Sequence, residues 1–332
     1  MSLIQTLFSW LFGSSTTSQN ALVINDDQPC RYRLDNGTSS TLTLPDGRKL
    51  GYAEYGSPTG KAILYHHGFP GSRLEGAQHH ELCTELGLRM ICIDRPGIGW
   101  SSPHPSSKLL DWPNDIEYLT EHLGLDSYSV LGVSGGGPTT LACAYALPST
   151  KLKSISLVCA VGPPDSGWRG ADIQHQIGWP YGIRYAPYWM GRWFWRTQAI
   201  GRLDLLESER LKRLLKEGES APEKDRDFAC DVDFMRLCVR AQSEAFAQGY
   251  DYVWDDGKKS ANEFGFKLQD LRQDLKVQMW YGEKDWFVPL SHGLKIAARL
   301  GERAQLRVED ESHGGILMHH KREILEALRD AM

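Results

Sequence analysis

The sequence predicts an α/β fold, a mostly parallel sheet with helices on both faces, and three observations predict it. From residue 39 onward short apolar runs alternate with helix-length segments, the signature of strand and helix units stacked around a sheet that is covered on both sides. The alternation stops at Val161-Gly162-Pro163-Pro164 and resumes at Val277, so a helical unit interrupts a single sheet. Within the first stretch, Gly132-Val133-Ser134-Gly135-Gly136 carries an apolar strand sharply into a helix, and glycines two residues either side of the serine let strand and helix approach closely.

Each element has its own local signal. Thr41 to Leu44 and Leu50 to Tyr55 flank the turn residues Pro45-Asp46-Gly47, so the sheet opens with an antiparallel hairpin. Ala62 to His66 is a buried strand, Ala77 to Leu86 a helix stopped by Gly87, Arg89 to Ile93 a strand, and Asn114 to Leu123 a helix stopped by Gly124. Tyr128 to Val133 is the strand that feeds Ser134, a helix begins near Pro138, and Lys153 to Val158 is the sixth strand. Residues 165–270 read as helical and aromatic, with Arg210 to Glu217 one amphipathic helix and Phe234, Leu237, Cys238, Ala241 and Ala245 the apolar face of another. Val277 to Tyr281, Leu290 to Leu300, Gln305 to Val308 and Ile316 to Ala331 close the chain as strand, helix, strand and helix. The expected units are therefore residues 1–38 as an N-terminal helix and linker, 39–164 with 271–332 as the core, and 165–270 as a helical lid.

Composition excludes several classes. With 332 residues, 41% hydrophobic and 24% charged, the chain can bury a large core, and a net charge of −5 without a basic stripe argues against nucleic acid as a partner. Seven cysteines, an odd number without a C-x-x-C, read as buried thiols of a reducing compartment, so a cytoplasmic location is expected. The histidine pairs His66-His67, His79-His80 and His319-His320 are adjacent residues that point in different directions, and no metal site or other cofactor is expected. Leu3, Ile4, Leu7, Phe8, Leu11 and Phe12 repeat at helical spacing. The run is too short and too interrupted for a membrane span or a secretory signal. Residues 3–12 are expected to dock on the protein itself, to form a homodimer contact or to touch a membrane surface peripherally.

Ser134 is the candidate nucleophile, and a serine hydroxyl needs a base within hydrogen-bond reach and a third group that fixes the base. Asp285, in Gly282-Glu283-Lys284-Asp285, directly follows a strand, and His313 lies between the last strand and the last helix. The order Ser134, Asp285, His313 is that of elbow-type enzymes. His292 at a helix start is a competing base, and Asp165, Glu283 and the run Glu309-Asp310-Glu311 are competing acids, the run reading as a solvated face. Helix entry after Ser134 aims backbone N–H groups at the space where an oxyanion would form. Gly135 supplies one donor, and Phe69 in His67-Gly68-Phe69-Pro70-Gly71 the second, while His67 reads as structural.

These pieces, with Asp94-Arg95-Pro96-Gly97-Ile98-Gly99-Trp100-Ser101 between them, resemble the α/β-hydrolase fold superfamily over residues 40–331, in its capped form with an insertion after the sixth strand. The resemblance implies an eight-stranded sheet, a triad of Ser134, Asp285 and His313, and a substrate pocket between core and cap. It implies a structural rather than catalytic part for residues 94–101. The His67 to Gly71 string is similar to that of epoxide hydrolases and dehalogenases, whose nucleophile is aspartate; Ser134 in that place selects acyl chemistry instead.

The expected activity is hydrolysis of an ester or related acyl bond in a small, largely apolar molecule, through an acyl-enzyme on Ser134. Phe69, Trp179, Trp189 and Trp286 are the expected substrate contacts. Six of the eleven tryptophans fall within residues 165–270, and most of them are expected to pack the lid's own interior. The same triad could cleave a thioester, lactone or carbon–carbon bond, or transfer the acyl group elsewhere. In a different class, the chain could bind a small molecule under the lid without catalysis.

Overall fold

A computed structural model describes residues 29–332; the segment 3–12 lies outside them. Eight strands form one sheet in the order β1-β2-β4-β3-β5-β6-β7-β8. They are β1 Ser39–Thr43, β2 Lys49–Gly56, β3 Lys61–His66, β4 Leu88–Ile93, β5 Tyr128–Val133, β6 Leu152–Val158, β7 Lys276–Gly282 and β8 Ala304–Glu309. β1 and β2 form the expected hairpin, with Gly47 supplying the positive φ of its turn. β2 also runs antiparallel to β4, and every later pairing is parallel.

Alternate residues of the central strands feed two cores. Leu64, Ile91, Val130 and Leu157 face one, while Ile63, Tyr65, Met90 and Leu131 face the other, the two-period burial expected of a sheet covered on both sides. On the first face lie α2 Trp112–His122 and α3 Gly137–Ala146, and on the second α1 His80–Glu85. Between β6 and β7 the chain runs through α4 Tyr188–Thr197, α5 Glu207–Gly218, α6 Val232–Ala245 and α7 Tyr250–Ala261. α8 Ser291–Leu300 and α9 His313–Asp330 complete the first and second faces respectively.

Two helix starts differ from expectation for local reasons. The chain enters α1 through a 3₁₀ segment, Arg73–His79, because the Arg73 N–H and guanidinium are both drawn to the buried Asp94 carboxylate. α9 begins three residues early, at His313, because the Ser312 hydroxyl caps it by accepting the Gly315 N–H at 3.0 Å. The cysteines are not uniformly buried either. All seven are free thiols, but Cys230 is exposed and Cys30 and Cys238 are half-buried, since these three lie outside the sheet and its covering helices. Among the described residues no helix is long and apolar enough to cross a membrane.

Candidate active site

β5 is buried along its whole length and ends at Val133 in extended conformation; Ser134 then takes φ 51°, a left-handed value that a side chain rarely adopts. The strain is held by close packing on both sides. A Cβ at Gly132 would sit 2.1 Å from Thr140 Oγ1, and one at Gly136 2.1 Å from the His66 carbonyl oxygen. The Ser134 carbonyl accepts the Val161 N–H at 2.9 Å, fixing the turn against the end of β6. Its hydroxyl is thus raised at the carboxyl end of the sheet.

His313 comes to it from the start of α9. Its Nε2 lies 3.0 Å from Ser134 Oγ, and its Nδ1–H donates to Asp285 Oδ2 at 2.7 Å. The Asp285 side chain is fully buried, and its Oδ1 accepts the N–H groups of Phe287 and Val288, both at 2.8 Å. That carboxylate can therefore neither turn away nor change which oxygen faces the imidazole. Burial pushes the His313 pKa down, but the adjoining Asp285 carboxylate outweighs it and holds the imidazole well above the ordinary histidine value.

The competing residues are occupied elsewhere. His292 is buried, accepts the Gly162 N–H at Nδ1, 2.9 Å away, and is pushed by burial down to about 4. Its position at a helix start does not separate it from His313, which also starts a helix; its bonded neighbours do. Asp165 pairs with Arg299 on the surface, and Glu283 is exposed. Glu311 departs from the expected solvated run, being buried and paired with Lys224 and His319. Among the described residues one group could converge on a metal ion, Cys159 with Asp285 and His313. The Cys159 thiol, at φ 40°, donates to the His313 carbonyl at 3.5 Å and stands 3.9 Å from Nε2.

The loop after β3 lies against the elbow. A Cβ on Gly135 would come within 2.5 Å of Phe69 Cβ and 3.2 Å of Phe69 N, so the backbones of the two residues face one another. Packed with this loop are His67, expected to be structural, and two residues, Glu75 and Arg95, whose part was not legible from sequence. His67 is buried and kept neutral by burial, and its Nδ1–H donates to the Gly68 carbonyl. Glu75 accepts the Gly68 N–H and the Tyr65 hydroxyl, both at 3.2 Å, and burial raises its pKa to about 7. Arg95, 2% exposed, donates to the carbonyls of His67 and Gly68 at 2.7 and 2.9 Å, and grips both oxygens of Asp256 on α7.

Replacing Arg95 by Met is expected to leave Asp256 buried without its partner and to cost about 3–5 kcal/mol of stability. A fall in the urea midpoint measures it. Arg95→Met with Asp256→Leu should recover part of that loss, because no unpaired charge then remains; full additivity of the two changes would refute the coupling.

The expected substrate contacts divide. The Phe69 ring is not free to line an open pocket: it meets Trp179 and Trp195 edge-on at 5.4 and 5.7 Å, and Gly257 of α7 leaves it room. Trp179 is buried in a π-helical turn, Gly178–Ile183, and also packs on Trp168. Trp189 is instead 66% exposed. It lies roughly 200° around α4 from Gly191, which packs on the Trp254 ring, and so faces away from the site. Trp286 is 60% exposed, because the two N–H bonds to Asp285 curl the chain so that Phe287, not Trp286, folds back on the His313 ring at 5.3 Å.

Comparison with known proteins bears on the fold. A family profile described as the alpha/beta hydrolase fold matches residues 61–196. A proline iminopeptidase of Arabidopsis thaliana is 33% identical over 112 residues, 33% of this chain, which spans only 29% of that relative's length. A non-heme haloperoxidase of Rhodococcus erythropolis is 24% identical over 82% of this chain and 92% of its own. Among solved structures, an esterase from Exiguobacterium antarcticum superposes with a TM-score of 0.58 at 19% identity, over 88% of this chain and 98% of the esterase. A likeness at that identity shows the fold, so the chain has the α/β-hydrolase fold, and its residues 61–196, which include the elbow, match that family's profile.

Proposed function

We propose that the protein is a serine hydrolase that cleaves an ester or related acyl bond of a small, largely apolar molecule. The observation that carries this is the hydrogen-bonded run from Ser134 Oγ through His313 to the buried Asp285. In this reading His313 takes the serine proton as Oγ attacks the acyl carbon, and the N–H groups of Gly135 and Phe69 receive the oxyanion. His313 then returns the proton to the leaving group and activates water against the acyl-enzyme. The helices between β6 and β7 serve as the lid.

Aromatic rings gathered at Phe69 and His313, among them Trp179, Trp195 and Phe287, support an apolar acyl group. The relative named proline iminopeptidase suggests a substrate with a cationic amine. Against that reading, the buried carboxylates of the inserted helical stretch are engaged: Asp225 by Ser312, Glu244 by Arg73 and Arg240, Asp256 by Arg95. The test is covalent labelling by a fluorophosphonate followed by peptide mass analysis. The adduct is expected on Ser134, and an unlabelled protein would remove the enzyme reading in favour of ligand binding. Labelling without turnover of any p-nitrophenyl ester, short or long, would move the reading to a thioester, lactone, carbon–carbon bond or acyl transfer.

A further inference from the structure

The start of the inserted segment is apolar on two opposite faces. Trp179, Ile183, Gly191, Trp195 and Ala199, all four or eight residues apart, are buried, the first four of them beside Phe69, Gly257 or Trp254. Out of phase with them by two residues runs a second row at strict four-residue spacing: Ile173, Ile177, Tyr181, Tyr185, Trp189 and Trp193. Each of these six is between 52% and 68% exposed. Within α4 two residues are roughly 200° of rotation, so Trp189 and Trp193 lie opposite Gly191 and Trp195; in the separate helical turns before the extended Pro187, Ile173, Ile177, Tyr181 and Tyr185 are likewise turned to solvent. A helix that packs one face on a protein is expected to show water a polar one. Here large rings and isoleucines take that place, and a patch of this kind marks a surface that another body covers.

The charge beside the ridge narrows what covers it. Residues 173–203 hold Arg184, Arg192, Arg196 and Arg202 without a single Asp or Glu, in a chain whose net charge is −5. Arg192 and Arg202 pair with Asp251 and Asp204, while Arg184 and Arg196 lie over the rings of Tyr185 and Tyr250. A second copy meeting this face about a two-fold axis would bring Arg184 and Arg196, the two that rest on rings instead of carboxylates, toward their own images, which like charge opposes. Tyrosine and tryptophan rings with arginine between them instead suit the headgroup layer of a bilayer, where an amphipathic ring keeps its polar edge wet.

We propose that this ridge seats the protein on an anionic phospholipid surface. The ridge begins beside the site: the Asp172 N–H donates to the Trp286 carbonyl at 2.8 Å, and His175 packs on Phe287, the ring that edges His313. Exposed Trp286, next to Phe287 in the chain, extends the apolar surface toward His313. Seated this way, the protein brings Phe287 and the His313 edge of the site toward headgroup depth, near an apolar molecule dissolved in the bilayer. The inference concerns binding and stands whether or not Ser134 is a nucleophile.

The test is flotation of the full chain with vesicles of phosphatidylcholine alone and of phosphatidylcholine mixed with phosphatidylglycerol. The wild type is expected to float with the mixed vesicles, less well as salt rises. Tyr185→Ser/Trp189→Ser/Trp193→Ser should weaken that binding by about tenfold or more, with an unchanged unfolding midpoint because all three side chains are exposed. Arg184→Glu/Arg196→Glu should weaken it on the mixed vesicles and much less on phosphatidylcholine alone. A wild type that stays unbound would overturn the proposal, and so would a triple variant that floats as the wild type does. A wild-type dimer that the triple variant converts to a monomer, by light scattering, would assign the ridge to a second copy and overturn it equally.

Discussion

Ser134→Ala is expected to lower kcat on a p-nitrophenyl ester by about 10⁶-fold, the loss seen when a triad nucleophile is removed alone. A residual rate of roughly 10³–10⁴ over water should persist, because the N–H groups of Gly135 and Phe69 and the pocket itself are untouched. The substitution should not unfold the protein. Alanine inherits the strained φ of 51° at the elbow, so the unfolding free energy is expected to stay within about 0.5–1 kcal/mol of wild type. Ser134→Gly, by contrast, is relieved of that strain and should be the more stable of the two inactive variants by about 1 kcal/mol. Turnover of Ser134→Ala at even a hundredth of the wild-type rate would place the nucleophile elsewhere.

Asp285→Asn is expected to lower kcat by about 10⁴-fold and to move the pH profile in a stated direction. With Asp285 ionised, the His313 proton sits on Nδ1 and Nε2 is free to accept from Ser134. An asparagine amide can turn its N–H toward Nδ1, which sends the proton to Nε2 and leaves the serine facing a donor. Protonated His313 cannot act as a base, so kcat/KM rises as pH rises through its pKa. In the wild type burial lowers the His313 pKa, but Asp285, helped by Cys159, outweighs it and sets that limb above the ordinary histidine range; in the variant only Cys159 still opposes burial, and the limb should move to lower pH. A limb at the same pH in both proteins would show that another group controls it. Glu75, raised to about 7 beneath the Gly68 N–H, is the group to check, and Glu75→Gln separates its contribution.

The sheet was legible because its strands are short apolar runs between glycine and proline turns, and each expected strand lies within a residue or two of an observed one. Ser134, His313 and Asp285 were legible because an elbow constrains both its own sequence and the chain order of its acid and base. The remainder was illegible for physical reasons. Arg95 acts on backbone carbonyls of another loop and on a carboxylate 161 residues away, a partnership that no local pattern announces. Choosing among Trp179, Trp189 and Trp286 required knowing which way each side chain rotates. A π-helical turn at residues 178–183 and a side-chain-bonded bend after Asp285 set those rotations, and neither has a periodic sequence signal.

One residue, Phe69, presents its N–H side to Gly135 while its ring is wedged between Trp179, Trp195 and Gly257. Arg95 repeats the arrangement one layer down, with two bonds into the loop and two into α7. The helical insertion is therefore not a portable module. A chimaera that exchanges it for another helical insertion, and keeps residues 67–71 and 95 from this core, would inherit a ring without a socket and a guanidinium without its carboxylate. Any exchange of the helices between β6 and β7 has to carry the loop and the insertion together, as a single graft.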